Sequence, residues 1–399
     1  MVVATWRTAE FKMDNKKHDI EVFVLVNPKS GGQAGEKVFQ EMSNEVGAER
    51  CYFLQGKQGL KQEALERLWE LLSQMESFKT LVSEAPSAVR ENPHHEFVST
   101  GAFFRVIAAG GDGTVAWVLA CMDELEHLPP FVRIPVAHLP LGTGNDFARA
   151  TQWGGGYDGG HAKRLVQQVR EAGCIHLDRW KMKLENLMEN APAGERSMDL
   201  PFQNYCSFGC DAAIARAFED ERQKHPEKFT SRTRNKMIYS SKGTATMFNG
   251  SGFRVKSYLE VIPGTEKDAV PVPLPGPTQT IIIQNIPSYM GGIDVWGNKG
   301  ESLPCVPCLH KTEGFHAQSM SDGQLEAIAF FSSIHQGSAA VFHHTGKRVA
   351  QAPSFVIQGK PGKIWYFQVD GEAVKLTGEG GFRAQITLGR RSEVLVRKK

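Results

Sequence analysis

The stretch Phe104-Arg105-Val106-Ile107-Ala108-Ala109-Gly110-Gly111-Asp112-Gly113-Thr114 decides the fold class of this chain. Its apolar run reads as a buried strand. The run empties into a turn whose glycines can take positive φ and bring backbone N–H groups close to an anion. Residues 115–122 then read as a helix, whose N-terminus would add partial positive charge. A second Gly-rich turn, Leu141-Gly142-Thr143-Gly144-Asn145-Asp146-Phe147-Ala148, follows a strand pattern ending near Leu139. A third, Asn27-Pro28-Lys29-Ser30-Gly31-Gly32, closes the apolar run Glu21-Val22-Phe23-Val24-Leu25-Val26 and leads into a helix pattern over 35–46. Alternating strand and helix predict a parallel sheet covered by helices, whose ligands bind at the C-terminal strand ends. All three turns belong to that edge.

Composition sets the outer bounds. A chain of 399 residues, 41% hydrophobic and 23% charged, is ordinary globular material with length for two or three domains. A formal net charge of +2 implies no global polyanion partner, so nucleic acid is not expected. No apolar run approaches the roughly 18 residues of a membrane span, and residues 1–17 lack a signal-peptide core. A soluble, cytoplasmic chain without a transmembrane segment is expected. Seven scattered cysteines suggest reduced thiols. A helix is predicted over 60–75 and a loop over 83–100, which carries Pro86 and Pro93. Beyond residue 170 short strand patterns such as 281–286 and 324–331 predict a second, β-rich domain. Segments 185–199, 262–280 and 298–321 read as surface insertions. The expected division is 20–165 for the α/β domain and 166–390 for the β-rich one.

A lone Gly-Gly-Asp-Gly-Thr is as well explained by a tight strand-to-helix turn. Three such turns at successive strand ends favour phosphate handling. No Walker A loop occurs, and Gly111-x-Gly113-x-x-Ala116 is only a loose dinucleotide fingerprint. Phosphoryl transfer to an alcohol needs neutralised phosphates, a divalent metal and a carboxylate to take the hydroxyl proton. Backbone amides of Gly110, Gly111, Asp112, Gly113 and Thr114, and of Gly142, Thr143, Gly144 and Asn145, can cradle phosphates, with Asn27, Thr114, Thr143 and Asn145 adding neutral hydrogen bonds. Asp112 is the metal candidate, since Mg²⁺ needs few carboxylates beside phosphate and water. Asp146 could ligate metal, contact ribose or cap the helix beginning near Phe147. Asp370-Gly371, between strand-like 365–369 and 373–377, is a hairpin signal in its own right. The basic run 228–236, with Arg232, Asn235 and Lys236, is a solvated helix face or a surface for phosphates and anionic lipid heads. Cys305-x-x-Cys308-x-His310, followed by His316, has some zinc spacing but lacks a second Cys pair, so loop thiols are the first reading. No triad or nucleophile elbow is present, and hydrolase chemistry is not expected.

The order of motifs resembles one family. Phe208-Gly209-Cys210-Asp211-Ala212-Ala213, then Arg222, His225-Pro226-Glu227-Lys228-Phe229 and Ser231-Arg232-x-Arg234-Asn235-Lys236-x-x-Tyr239, is similar to the accessory domain of eukaryotic diacylglycerol kinases. Asn285-Ile286-Pro287-Ser288-Tyr289-Met290-Gly291-Gly292, Ser321-Asp322-Gly323-Gln324-Leu325-Glu326 and Gln368-Val369-Asp370-Gly371-Glu372 follow in the same order. The three Gly-rich turns alone would not separate this family from the sphingosine, ceramide and NAD kinases of its superfamily. The resemblance covers roughly residues 20–390. It implies a Rossmann-like α/β nucleotide-binding domain and a sandwich-like β-rich domain, with the active site in the cleft between them. It implies ATP and Mg²⁺ as cofactors and transfer to the 3-hydroxyl of 1,2-diacylglycerol, giving phosphatidic acid. Asp370 would be the general base, supported by Glu372, and Asp322 would be a structural Mg²⁺ ligand, although Ser321 stands where a second carboxylate is expected. Arg232, Asn235 and Lys236 would face lipid or phosphate at an anionic membrane surface, making the enzyme a peripheral one. A kinase for sphingoid bases, ceramide or NAD, and an inactive adaptor, are the alternatives.

Overall fold

The computed structural model describes residues 20–31, 34–54, 60–93, 96–228, 238, 241, 255–266, 268–297, 314–331 and 346–398. The chain forms two compact units. One takes the chain up to Leu177 and again from Arg391, and the other is Asp178–Arg390. Among the described residues no helix is long and apolar enough to cross a membrane.

The first unit is an α/β layer structure. Its elements are β1 (Glu21–Val26), α1 (Ala34–Val46), β2 (Cys51–Phe53), α2 (Leu60–Gln74), α3 (Glu76–Ser83), α4 (Ser87–Glu91), β3 (Val98–Ser99), β4 (Phe104–Gly110), α5 (Asp112–Asp123), β5 (Val132–Arg133), β6 (Val136–Pro140), α6 (Asp146–Ala150) and α7 (Ala162–Glu171). The strands β2, β1, β4 and β6 pair in that order and all in parallel. Every residue of β4 is buried, which is why its sequence is an unbroken apolar run and does not alternate. Val38 and Met42 of α1 and Leu165, Val166 and Val169 of α7 pack with Val24, Ile107 and Leu139 of the sheet. The expected boundary at residue 165 would have cut α7. Its apolar stripe belongs to the core of this unit, and the units divide at Leu177. The loop expected over 83–100 is also corrected: it contains α4 and β3. Arg90 of α4 donates to the carbonyls of Val82, Ser83 and Ala85, satisfying groups that the end of α3 leaves open.

The second unit is a two-layer β-sandwich. It contains most of β7 (Gly173–Asn186), then α8 (Ala193–Arg196), β8 (Ser197–Phe202), β9 (Tyr205–Gly209), α9 (Cys210–Lys224), β10 (Leu259–Pro263), β11 (Thr280–Gln284), β12 (Leu325–Phe330), β13 (Lys347–Ala352), β14 (Ser354–Gly359), β15 (Tyr366–Val369), β16 (Glu372–Lys375) and the first part of β17 (Phe382–Val396). One sheet runs β13-β12-β11-β9-β15-β16 with every pair antiparallel. In the other, β14 pairs with both β10 and β17. Phe208, Ile281, Ile283 and Phe367 from the first sheet pack with Phe355, Ile357, Phe382 and Ile386 from the second. The rings of Phe208 and Phe382 stack at 5.4 Å. Segment 185–199 is not an insertion but part of the β7–β8 hairpin, where Glu185 pairs with Ser197 and Lys183 with Asp199. Buried Met182 and Leu184 alternate with exposed Lys181 and Lys183, the period of a half-buried strand. Arg232, Asn235, Lys236, Cys305, Cys308 and His310 lie outside the described residues.

The end of the chain returns to the first unit. There Val394 of β17 pairs in parallel with Val136. Trp153 Nε1 donates to the Leu395 carbonyl at 2.7 Å, and Ser99 Oγ donates to Glu393.

Buried acids give the stability a predictable pH dependence. Glu326 of β12 accepts from Gln351 at 2.8 Å and Gln318 at 2.7 Å, and burial pushes its carboxyl up to about 8. Burial likewise pushes Glu393 up to about 7. The native state therefore keeps protons that the unfolded chain has lost, so stability is highest below about pH 4.5 for these groups and falls as pH rises through 7 and 8. Melting curves at about pH 5.5 and about pH 8.5 check this: Glu326→Gln, neutral at both, should lose fewer degrees between them than wild type.

Candidate active site

In the first unit the three Gly-rich turns meet. The carbonyl of Gly110 at the end of β4 accepts from the backbone N–H of Leu141 at 2.7 Å and of Gly142 at 3.3 Å. The second turn is thereby folded onto the first. Contact between them is backbone against backbone: a Cβ added at Gly142 would lie 2.7 Å from Gly111 Cα. A Cβ at Gly110 would lie 2.2 Å from Thr114 Oγ1. That hydroxyl accepts from Asn27 Nδ2 at 3.1 Å, which brings in the third turn. Gly31, at φ +65°, completes the approach, since a Cβ there would lie 2.8 Å from the Leu141 carbonyl.

Asp112 ties the assembly together. Its Oδ2 accepts from the N–H of Asp146 and its Oδ1 from the N–H of Phe147, both at 3.0 Å. The cap of α6 is thus the carboxylate of Asp112 from the first turn. Asp146 is the first helical residue, and Asn145 occupies the N-cap position at φ +54° without a side-chain cap. Asn145 instead donates to the carbonyls of Gly142 at 2.8 Å and Gly155 at 3.0 Å. A Cβ at Gly144 would lie 3.5 Å from Asp146 Oδ2 and 3.8 Å from Asp112 Oδ2, so both carboxylates flank that glycine.

His138 was not singled out by sequence reasoning. A lone histidine in the apolar strand Val136-Ala137-His138-Leu139 reads as a core residue. It is fully buried, with Nε2 3.1 Å from the Gly110 carbonyl and Nδ1 3.9 Å from Asp112 Oδ1. Burial pushes the ring down to about 4, so it is neutral at pH 7. The carbonyl partner places the proton on Nε2 and leaves the Nδ1 lone pair toward Asp112.

In the second unit Asp370 and Gly371 form the two-residue turn between β15 and β16, at φ +47° and +91°. Positive φ at both positions matches the right-handed twist of the hairpin. The Asp370 carboxylate accepts three backbone N–H groups: Gln203 on Oδ2 at 2.9 Å, and Asn204 and Tyr205 on Oδ1 at 2.9 and 3.1 Å. Asn285 holds that segment, donating to the Gln203 carbonyl at 2.7 Å. Sequence reasoning missed Gln203, Asn204 and Asn285 as neighbours of the turn, because their separation from it is long. Glu372 is the exposed first residue of β16. Asp322 accepts from Gln324 N–H at 2.9 Å within its own turn, and Gly323 N–H donates to Asp178 at 2.6 Å. Among the described residues no group of three or more His, Cys, Asp or Glu side chains is placed to hold a metal ion.

A model of the diacylglycerol kinase catalytic domain matches residues 21–177, and one of the diacylglycerol kinase accessory domain matches residues 201–373. The chain belongs to the diacylglycerol kinase family. Human diacylglycerol kinase zeta is 33% identical over 364 residues, covering 89% of this chain and 34% of that protein. A Caenorhabditis elegans protein described as probable diacylglycerol kinase 3 is 32% identical, covering 88% of this chain and 41% of its own. The chain therefore spans less than half the length of these curated relatives. A crystal structure of a Bacillus anthracis diacylglycerol kinase aligns with 95% of this chain at a TM-score of 0.46 and 14% identity, and 97% of that chain is covered. The diacylglycerol kinase catalytic match ends at the residue where the first unit gives way to the second.

The glycines of the turns differ in what holds them. A Cβ at Gly113 would meet nothing within 4 Å. Gly113→Ala is expected to leave the melting temperature unchanged or raised, since alanine in a helix is favoured over glycine by about 1 kcal/mol. Gly142→Ala forces the two turns apart and should cost about 1–3 kcal/mol, lowering the melting temperature by several degrees. Thermal denaturation of the two variants beside wild type checks both.

Proposed function

We propose that this chain transfers the γ-phosphoryl group of Mg·ATP to the 3-hydroxyl of 1,2-diacylglycerol, giving phosphatidic acid. The observation that carries the reading is the convergence of three Gly-rich turns at strand ends in a chain of the diacylglycerol kinase family. Backbone amides of Gly110–Thr114 and Gly142–Asn145 take the phosphates, with Asn27, Thr114, Thr143 and Asn145 as neutral partners. The open space beside Gly113 lets a phosphate approach the backbone. Asp112 and Asp146 would hold Mg²⁺, and two oxygen donors suit an ion that keeps phosphate and water ligands. Bound there, the ion neutralises phosphate charge.

Asp370 serves as the general base. The lipid hydroxyl oxygen bonds to the γ-phosphorus as the bond to the bridging oxygen breaks, ADP leaves, and the proton passes to the Asp370 carboxylate and on to solvent. Three N–H donors fix the orientation of that carboxylate, and an ionised carboxylate offers about four lone-pair sites. Glu372 supports it electrostatically. Transfer is direct, without a phosphoenzyme. The substrate lies at a membrane surface, and the positive charge of the run 228–236, with Arg232, Asn235 and Lys236, would attract anionic lipid heads, which makes the protein a peripheral cytoplasmic enzyme.

Transfer of labelled γ-phosphate to 1,2-diacylglycerol in mixed micelles, with sphingosine and ceramide in parallel, tests the reading. Wild type should form phosphatidic acid. Asp370→Asn should retain under about 1% of the rate, with its melting temperature recorded to separate lost chemistry from a lost cap. Label in another lipid would move the substrate assignment. Nucleotide binding without any labelled product would favour the adaptor reading. Gly113→Ala should weaken Mg·ATP binding by about tenfold or more while its melting temperature holds.

A further inference from the structure

Asp211, in the first turn of α9, is buried and has no basic partner among its hydrogen bonds. Ser207 Oγ and Tyr289 OH both donate to its Oδ2, the latter at 2.9 Å. Its Oδ1 has no hydrogen-bond partner among the described residues. Burial pushes this carboxyl up, toward its neutral form. These donors come from separate parts of the unit: Ser207 from β9 and Tyr289 from the segment after β11. Ser207 and Gln368 are direct partners across the β9–β15 ladder.

Gln368 has a second contact. Its Oε1 accepts from the N–H of Gly371 at 2.8 Å. The chain of contacts therefore runs from Tyr289 through Asp211 to Ser207, across the ladder to Gln368, and so to the residue that follows Asp370. Asp370 and Gly371, at φ +47° and +91°, form the tight two-residue turn that Asp-Gly favours, and the Gln368 contact closes on its second residue.

We infer that Asp211, acting through Ser207 and Gln368, fixes the Asp370–Gly371 turn and is a positioning residue for the carboxylate that takes the hydroxyl proton. The inference rests on the reading of Asp370 as base. An asparagine at position 211 can present its carbonyl oxygen where Oδ2 accepts and its NH₂ where Oδ1 has no partner, so Asp211→Asn preserves the relay. Asp211→Leu and Gln368→Leu each break it at a different link.

Two measurements on the full chain test this. Hydrogen–deuterium exchange of the peptide spanning 366–376 should quicken in Asp211→Leu and in Gln368→Leu and stay at the wild-type rate in Asp211→Asn. At saturating Mg·ATP, kcat for diacylglycerol should fall by about tenfold or more in both leucine variants, with KM for Mg·ATP unchanged. Asp211→Asn should restore kcat, and the double leucine variant should lose no more than either single one. Unchanged exchange in both leucine variants overturns the inference, as do losses that multiply in the double variant. Activity persisting in Asp370→Asn would overturn the base assignment instead, and the exchange data would still decide whether Asp211 holds the turn.

Discussion

No side chain separates Gly111 from Gly142, and the meeting of the three Gly-rich turns in the first unit depends on that contact. Parallel pairing of β4 with β6, in the register Gly110 opposite Pro140, delivers both turns to one sheet edge. Glycine then lets them close on each other, backbone against backbone. Once closed, the two turns share one carbonyl, that of Gly110, as acceptor for the second turn and for buried His138. A neutral imidazole suits that position. It satisfies the carbonyl without placing a cation beside the Asp112 carboxylate, 3.9 Å away.

Two aspartates in separate units play the same structural part. Asp112 accepts two backbone N–H groups and Asp370 accepts three, each from a segment remote in sequence. Both are short side chains in tight turns, which fixes their carboxylates more firmly than a longer side chain on an open surface could be fixed. For Asp370 the hairpin and the role proposed for its carboxylate are compatible: the turn directs the carboxylate, and the amides of 203–205 hold it.

What could be read from the sequence follows from what is local. The strands β1 and β4 are covered on both faces and so spell continuous apolar runs, and the turns that end them spell glycine. The β15–β16 hairpin was equally legible, because Asp-Gly is the chemistry its positive φ values require. The return of the chain end to the first unit was not. Glu393 meets Ser99 across a separation of 294 residues, and Arg391, Ser392 and Glu393 are polar yet buried, the reverse of a core strand's signature. The β7–β8 hairpin was hidden in the same way: its outward lysines and acids mask the alternation of Met182, Leu184 and Phe202. Asn27 and Asp112 were singled out from the Gly-rich turns that carry them, whereas His138 in the first unit and Gln203 and Asn285 in the second act through contacts that no local pattern encodes.

The six-stranded sheet shows how register and site become one constraint. Its inner face is apolar, with Phe208, Ile281, Ile283, Ala327 and Phe367 in the sandwich core. Its outer face is buried too, yet carries Ser207, Thr280, Gln284, Glu326 and Gln368. A slip of one residue in any strand would turn these polar groups into the apolar core and strand them without partners. Cross-strand pairs make the correct register recognisable, since Ser207 faces Gln368 and Glu326 faces Gln351. Polar burial of this kind contributes more to specifying a single arrangement than to net stability. In β9 that specification reaches the site directly. The register that pairs Ser207 with Gln368 also pairs Cys206 with Val369, and so sets Tyr205 where its N–H meets the Asp370 carboxylate and its carbonyl accepts the Asp370 N–H.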